Sequence, residues 1–284
     1  MNKYLILILL IISCALLAIQ NPLNKNDLTE LQLKGKVKSV EEINDCHEIT
    51  IFNKFGNPVK KIFYNKDDAI HGYQIFSYDD KGNRISSEEY DSKENQVFKR
   101  IYYYNDKNEL VKENWFKSDT LNGGWNYKYN EQGGLAEWNA FDQKSNIIQK
   151  IAEYEYNESG ELIILNEYSG GKLSYVHKYT YDEKGNEIVH RMDFIHEKNR
   201  YATETKTFDI SGNVIKIEYS DSKGLSSSSV INYDQNDNVV RQESYKSGEI
   251  IIVKNTNYEY DDHGNWVKMV TQANTAIRKI EYYE

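Results

Sequence analysis

One six-residue segment, returning nine times at nearly constant spacing, constrains this chain more than any other feature. Phe52–Asn57 reads FNKFGN, and its counterparts are YDDKGN from Tyr78, YNDKNE from Tyr104 and YNEQGG from Tyr129. The series continues as YNESGE from Tyr156, YDEKGN from Tyr181, FDISGN from Phe208, YDQNDN from Tyr233 and YDDHGN from Tyr260. The fifth place falls at residues 56, 82, 108, 133, 160, 185, 212, 237 and 264, so successive units are 25 to 27 residues long. The first place is aromatic and the second is Asp or Asn in all nine. Self-similarity at such a period marks a repeat architecture, in which each unit buries its face only against its neighbours.

Turn chemistry explains the pattern. Asp or Asn at the first corner of a type I turn accepts a nearby backbone N–H through its side chain. The fifth place is where a G1 bulge needs a left-handed residue. Gly56, Gly82, Gly133, Gly160, Gly185, Gly212 and Gly264 supply it. The two exceptions, Asn108 and Asp237, belong to the residue types that best tolerate that conformation. Each copy therefore reads as the tip of a β-hairpin. The flanks alternate as strands do: Tyr175, Tyr179 and Tyr181 share one parity, as do Ile148, Ala152, Tyr154 and Tyr156. A second aromatic follows eight residues after the fifth place at Tyr64, Tyr90, Phe116, Phe141, Tyr168 and Tyr245. Return turns such as Ser169–Lys172 and Lys246–Glu249 separate the units.

Nine hairpins give about 18 strands, with a further strand near Val37–Glu42 and a last one at Ile277–Tyr283. The expected fold is all-β: an antiparallel β-hairpin repeat array forming a long twisted ribbon or open spiral sheet, because twist of roughly 20° per strand accumulates to about one turn. Beyond residue 20, Leu, Ile, Val and Phe make up 58 of 264 residues, close to the roughly 20% level at which a highly charged chain stays disordered. The 24 tyrosines supply the missing apolar area, since a Tyr ring can be covered while its hydroxyl stays wet. With a formal charge of -9, the chain lacks the basic footprint of a nucleic-acid binder.

The N-terminus reads differently. Leu5–Ile19 is almost wholly apolar, follows Lys3 and precedes a polar run. It is too short to span a bilayer and fits the apolar region of a secretory signal. Ile11-Ile12-Ser13-Cys14 resembles a bacterial lipobox, which makes Cys14 the candidate lipid-attachment residue; cleavage near residues 18–20 is the rival route. The expected organisation is a signal peptide over residues 1–20, an N-terminal segment with a capping strand over 21–50, and the repeat domain over 51–284. Export to the bacterial envelope or to the medium follows, with a membrane reached only through the N-terminal lipid. Cys46 then remains as an unpaired thiol, read as a half-buried strand residue.

The Tyr-Asp-x-x-Gly-Asn kernel resembles the YD repeat of the Rhs family of bacterial surface and toxin-associated proteins. The resemblance runs from Phe52 to about Tyr283; YDDKGN, YDEKGN and YDDHGN match most closely, while FNKFGN, YNDKNE and YDQNDN depart from it. The chain is also similar to small exported YD-repeat proteins, many of them lipoproteins. In large Rhs proteins the repeats wind into a hollow shell around a toxin. The resemblance thus implies a β-hairpin spiral and extracytoplasmic binding or encapsulation, or a role as accessory or remnant of an Rhs-type toxin system. With repeats reaching to within about 20 residues of Glu284, no toxin domain is expected, and nine units look too few to close a shell.

The remaining residues form no catalytic or metal-ligating pattern. His47, His71, His177, His190, His196 and His263 stand in no metal-ligand spacing, and a register centred on the intervening tip sets His177 beside Arg191, not His190. There is no GxSxG elbow and no phosphate loop. The aspartates Asp79, Asp182, Asp209 and Asp261 occupy turn corners, where Asn interchanges with Asp. No catalytic residue, metal or cofactor is therefore expected. Trp115, Trp125 and Trp138 lie in consecutive units and are the candidate ligand-stacking aromatics, with sheet cover as their structural alternative; Trp266 is expected to cap the array. The function these features support is a non-enzymatic envelope module that binds or scaffolds a glycan or another envelope protein.

Overall fold

The computed structural model describes residue 28, residues 31–143 and residues 147–284. Strand β1 (Val37–Ile43) leads into a hairpin of β2 (His47–Phe52) and β3 (Pro58–Tyr64). Next come β4 (Ile70–Tyr78) with β5 (Arg84–Asp91), β6 (Gln96–Tyr104) with β7 (Leu110–Lys117), and β8 (Thr120–Tyr129) with β9 (Leu135–Asp142). They continue as β10 (Ile147–Tyr156) with β11 (Leu162–Ser169), β12 (Lys172–Tyr181) with β13 (Glu187–Phe194), and β14 (Tyr201–Phe208) with β15 (Val214–Asp221). The last are β16 (Gly224–Tyr233) with β17 (Val239–Lys246), β18 (Glu249–Tyr260) with β19 (Trp266–Thr271), and finally β20 (Thr275–Tyr282).

Every tip repeats one geometry. At Tyr78–Arg84, the N–H of Asp79 donates to Asn83 O at 2.9 Å, and Asp79 Oδ1 accepts the N–H groups of Lys81 and Asn83 at 2.9 and 2.8 Å. The seven tip glycines have φ between 78° and 89°, with Asn108 at 68° and Asp237 at 63°. A register shift accompanies each tip, so Ser77 faces Ser86 but Tyr78 faces Arg84. The kernel tyrosine then ties one unit to the one before it. The hydroxyls of Tyr104, Tyr129, Tyr156 and Tyr181 donate to the carbonyls of Arg84, Leu110, Leu135 and Leu162 at 2.7 to 3.0 Å.

The twenty strands form one antiparallel sheet, and β1 pairs with both β2 and β20. The sheet is thus a closed barrel, which corrects the expectation of an open ribbon or spiral, and nine tips suffice to close it. An open sheet would leave a row of unpaired backbone groups along each edge, and joining the edges removes both. The two end strands were legible; that they are each other's partners was not.

The junction of β20 and β1 is a tenth tip in which the chain is interrupted. Tyr282 faces Val37, as Tyr78 faces Arg84, and the N–H of Tyr283 donates to Lys36 O at 2.7 Å, as Asp79 does to Asn83. Gly35, at φ 87°, takes the place of the tip glycine. The side chain of Asn265 bridges the break: its Oδ1 accepts the N–H of Lys34 at 2.6 Å, and its Nδ2 donates to Lys34 O at 2.9 Å and to the Tyr282 hydroxyl at 2.7 Å. Leu28 and Leu33 then bury themselves against Val37, Val40 and Phe52.

Side chains converge on the concave face of a closed sheet and diverge on the convex one, so the crowded face lines the barrel. It carries Tyr102, Tyr127, Tyr154 and Tyr179 with Leu110, Leu135, Leu162 and Leu165 in a band that follows the circumference from β6 to β12. The opposite face carries ion pairs. Lys128 and Lys150 share Glu137 at 2.6 and 3.5 Å, Lys178 and Arg191 share Asp193 at 2.9 and 2.7 Å, and Lys279 meets Glu41 at 3.0 Å. Twenty strands about 4.8 Å apart give a backbone diameter of about 30 Å, which strand tilt widens, so an open lumen remains inside the aromatic lining.

Candidate functional site

The three tryptophans come together on the inner wall. Adjacent strands β7, β8 and β9 set Glu113 opposite Trp125, Trp115 opposite Gly123, Trp125 opposite Ala140 and Tyr127 opposite Trp138. Trp125 meets Trp115 and Trp138 edge-on, each at 4.8 Å between ring centroids, and Tyr127 stacks with Trp138 at 6.4 Å. The rings have room because Gly123 and Ala140 face them. At the next residue β7 and β8 run so close that a Cβ on Gly124 would lie 1.9 Å from the carbonyl oxygen of Glu113.

A buried carboxylate sits behind this aromatic patch. Glu113 is 5% exposed, accepts the Tyr127 hydroxyl at 2.7 Å and lies 3.4 Å from Trp115 Nε1. Burial pushes its carboxyl above the ordinary range, against the opposing hydrogen bonds from Tyr127 and Trp115 and the charges of Arg100 and Arg84. Sequence reasoning passed over Glu113, yet it carried a signal. Glu113 shares strand parity with Trp115, which puts a carboxylate on an otherwise aromatic face. Trp266 lies beside the split tip with the Arg278 guanidinium 3.6 Å from its ring, so it sits at the closure and not at a free end.

Further round the wall, a polar cluster interrupts the tyrosine ladder. Where Tyr102, Tyr127, Tyr154 and Tyr179 stand two residues before their kernel aromatic, the next unit has Lys206. Its ammonium lies 2.6 Å from Glu187 and 3.2 Å from the buried Glu204. The register through this region differs from the one inferred by symmetry. A shift between Thr180 and Tyr181 moves the pairing by one residue, so His177 faces Met192 and Tyr179 faces His190. His177 and His190 consequently hydrogen-bond, Nδ1 to Nε2, at 2.8 Å, and His190 stacks on Tyr179 at 4.7 Å. Burial, reinforced by His177 and Lys206, holds the His190 imidazole down at about 3.

The turn glycines stand at the tips, away from the tryptophans, and Asp79, Asp182, Asp209 and Asp261 are occupied as corner acceptors. Cys14 lies outside the described residues. Cys46 is exposed in the turn between β1 and β2, not half-buried in a strand, because β1 ends at Ile43 and β2 begins only at His47. Among the described residues, no group of three or more His, Cys, Asp and Glu side chains could hold a metal ion.

No family model and no curated protein sequence matches this chain. Among solved structures it is similar to TcdB2-TccC3, with a TM-score of 0.49 and 13% identity over 83% of this chain and 14% of that one. The TcdB2-TccC3-Cdc42 structure gives 0.48 and 14% identity, again over 83% of this chain and 14% of that one. A porin-like protein from Bacteroides uniformis gives 0.35 and 10% identity over 87% of this chain and 98% of that one. The chain spans about a seventh of the length of the first two.

Proposed function

We propose that this chain is an exported, non-enzymatic binding module of the cell envelope, and that it holds a glycan chain against the aromatic inner wall of its barrel. The observation that carries this reading is the contiguous patch of Trp115, Trp125 and Trp138, which presents several ring faces and edges beside a buried carboxylate. Stacking on a sugar ring uses the apolar face of an aromatic side chain, while neighbouring polar groups set orientation. A lumen of this width admits an extended oligosaccharide.

Export rests on the apolar run Leu5–Ile19, with Cys14 as the proposed lipid-attachment residue. The barrel itself belongs in water under this reading. A lipid-facing barrel needs a continuous apolar outer band, and the outer wall instead carries the Lys128–Glu137–Lys150 and Lys178–Asp193–Arg191 rows.

The test is direct binding of the purified protein to maltohexaose, cellohexaose, xylohexaose, mannohexaose and chitohexaose, read by tryptophan fluorescence and calorimetry. At least one should bind, and Trp125→Ala should weaken it about tenfold or more, the equivalent of ~1.4 kcal/mol. Failure of every oligosaccharide to bind the unaltered protein would remove the reading.

A further inference from the structure

Beside the tryptophan patch the inner wall carries four polar atoms that protein groups leave unused. Trp138 on β9 faces Ala152 on β10, Ala152 faces Glu167 on β11, and Glu167 faces Tyr175 on β12. In the neighbouring row Tyr154 faces Leu165, which faces His177. Tyr179 follows His177 on the same face. Trp138 Nε1, Tyr154 Oη, Tyr179 Oη and His177 Nε2 are all buried without a hydrogen-bond partner in the protein. Tyr154 and Tyr179 are only 7% and 8% exposed. His177 Nε2 stops 3.6 Å from Glu167 Oε2, beyond hydrogen-bond reach.

The rest of the ladder shows that this arrangement is local. The Tyr127 hydroxyl, one unit earlier, is taken by Glu113, and the kernel hydroxyls of Tyr129, Tyr156 and Tyr181 all find backbone carbonyls. Polar groups buried without partners cost a fold stability and are rare in native structures. Four of them, on the neighbouring strands β9, β10 and β12, mark a place where an outside partner completes the bonding.

The chemistry of the set defines the ligand. An indole N–H and two phenol O–H groups donate, and Glu167 accepts. A ligand that satisfies them offers several oxygen acceptors and a hydroxyl that donates to the carboxylate. Anionic ligands meet repulsion from Glu167. We infer that Trp138, Tyr154, Glu167 and Tyr179 form a subsite that fixes one neutral sugar residue by hydrogen bonds, while Trp115 and Trp125 stack against its neighbours. This rests on the glycan reading above and names the sugar class and the residues that select it.

The test uses the full chain with the neutral hexasaccharides above and with oligogalacturonate as an anionic counterpart. Tyr154→Phe and Tyr179→Phe should each lower affinity for the bound neutral oligosaccharide about 5- to 20-fold, and Glu167→Gln should lower it as well. The two phenylalanine variants should keep or raise the melting temperature, because each removes a hydroxyl that the protein leaves unpaired. Unchanged affinity in all three variants, with binding still weakened in Trp125→Ala, would overturn the subsite and leave the glycan reading standing. Tighter binding of oligogalacturonate than of any neutral oligosaccharide would overturn the subsite too. If the unaltered protein binds no sugar at all, both fall together.

Discussion

A single backbone angle governs the fifth residue of every tip, and the chain's choice at that place is fully physical. Gly185, at φ 82°, would meet only Glu161 Oε1 at 3.5 Å if given a Cβ, so the strain of a side chain there lies in the backbone. Gly185→Val should cost about 1–2 kcal/mol of stability in denaturant unfolding, the left-handed penalty of a Cβ; an unchanged midpoint would refute that tip geometry. The exceptions Asn108 and Asp237 turn out to have a positive reason. Asn108 exchanges two hydrogen bonds with Asn83, and Asp237 accepts one from Asn213, contacts that glycine cannot make. Tolerance of the angle was readable in sequence, but the bond to the preceding unit required knowing which tips adjoin. His190 is the other residue whose behaviour follows from its surroundings. Its folded value near 3 lies below the ordinary 6.5, so its neutral form supports the fold fully above pH 6.5. That support drains away as pH falls toward 3, with a slope of at most about 1.4 kcal/mol per pH unit. His190→Gln keeps a hydrogen-bonding side chain beside His177 without titrating. Between pH 6.5 and 5, above the range of most carboxylates, its stability curve should be flatter than that of the unaltered protein; parallel curves would show that His190 is not buried as a neutral ring.

The hairpin is the level at which sequence reading worked best, and the bulge is where it failed. Alternation located the strands and turn residues located their ends, because both depend on neighbours within a few positions. Register depends on whether an extra residue is stored at the tip. One is stored in each, as between Ser77 and Tyr78 or Thr180 and Tyr181, and similar shifts occur near return turns, as between Glu167 and Tyr168. A shift by one residue exchanges the neighbours of every side chain beyond it. That is why the His177–His190 pair and the array of Trp138, Tyr154 and Glu167 were invisible, while the tryptophans themselves could be singled out. Between units, the kernel tyrosine acts as a tie. Tyr156→Phe keeps the ring and deletes only the hydroxyl bond to Leu135 O at 2.9 Å. It should lower stability by about 1 kcal/mol, measured by chemical denaturation, and should raise amide exchange in β9 more than in distant β17. A uniform rise around the barrel would contradict a tie between adjacent units.

Closure changes how the whole molecule holds together. In a linear array the terminal units have one neighbour each and fray first; here β1 and β20 have two neighbours, like every other strand. Sequence similarity among units carries no information on this point, since identical hairpins fit an open sheet and a closed one equally well. The deciding pieces were half a kernel beside each end strand: Tyr282-Tyr283-Glu284 and Lys34-Gly35-Lys36-Val37. Neither half is recognisable alone, because the defining spacing is lost where the chain breaks. Read in order, the two halves make a six-residue turn from Tyr282 to Lys36, with Glu284 in its third place and Lys34 in its fourth. The barrel is thus written on a circle, with Glu284 and Lys34 adjoining in one turn. A circular permutant that joins Glu284 directly to Lys34 and begins instead at Lys81, between the third and fourth places of another tip, should give the same circular dichroism and the same hydrodynamic radius. Joining Glu284 to Gly35, one residue short, should fold less stably; equal stability of the two joins would mean that the ends merely lie close and do not share a turn. A cut at any tip would leave the same barrel, because every strand keeps two neighbours.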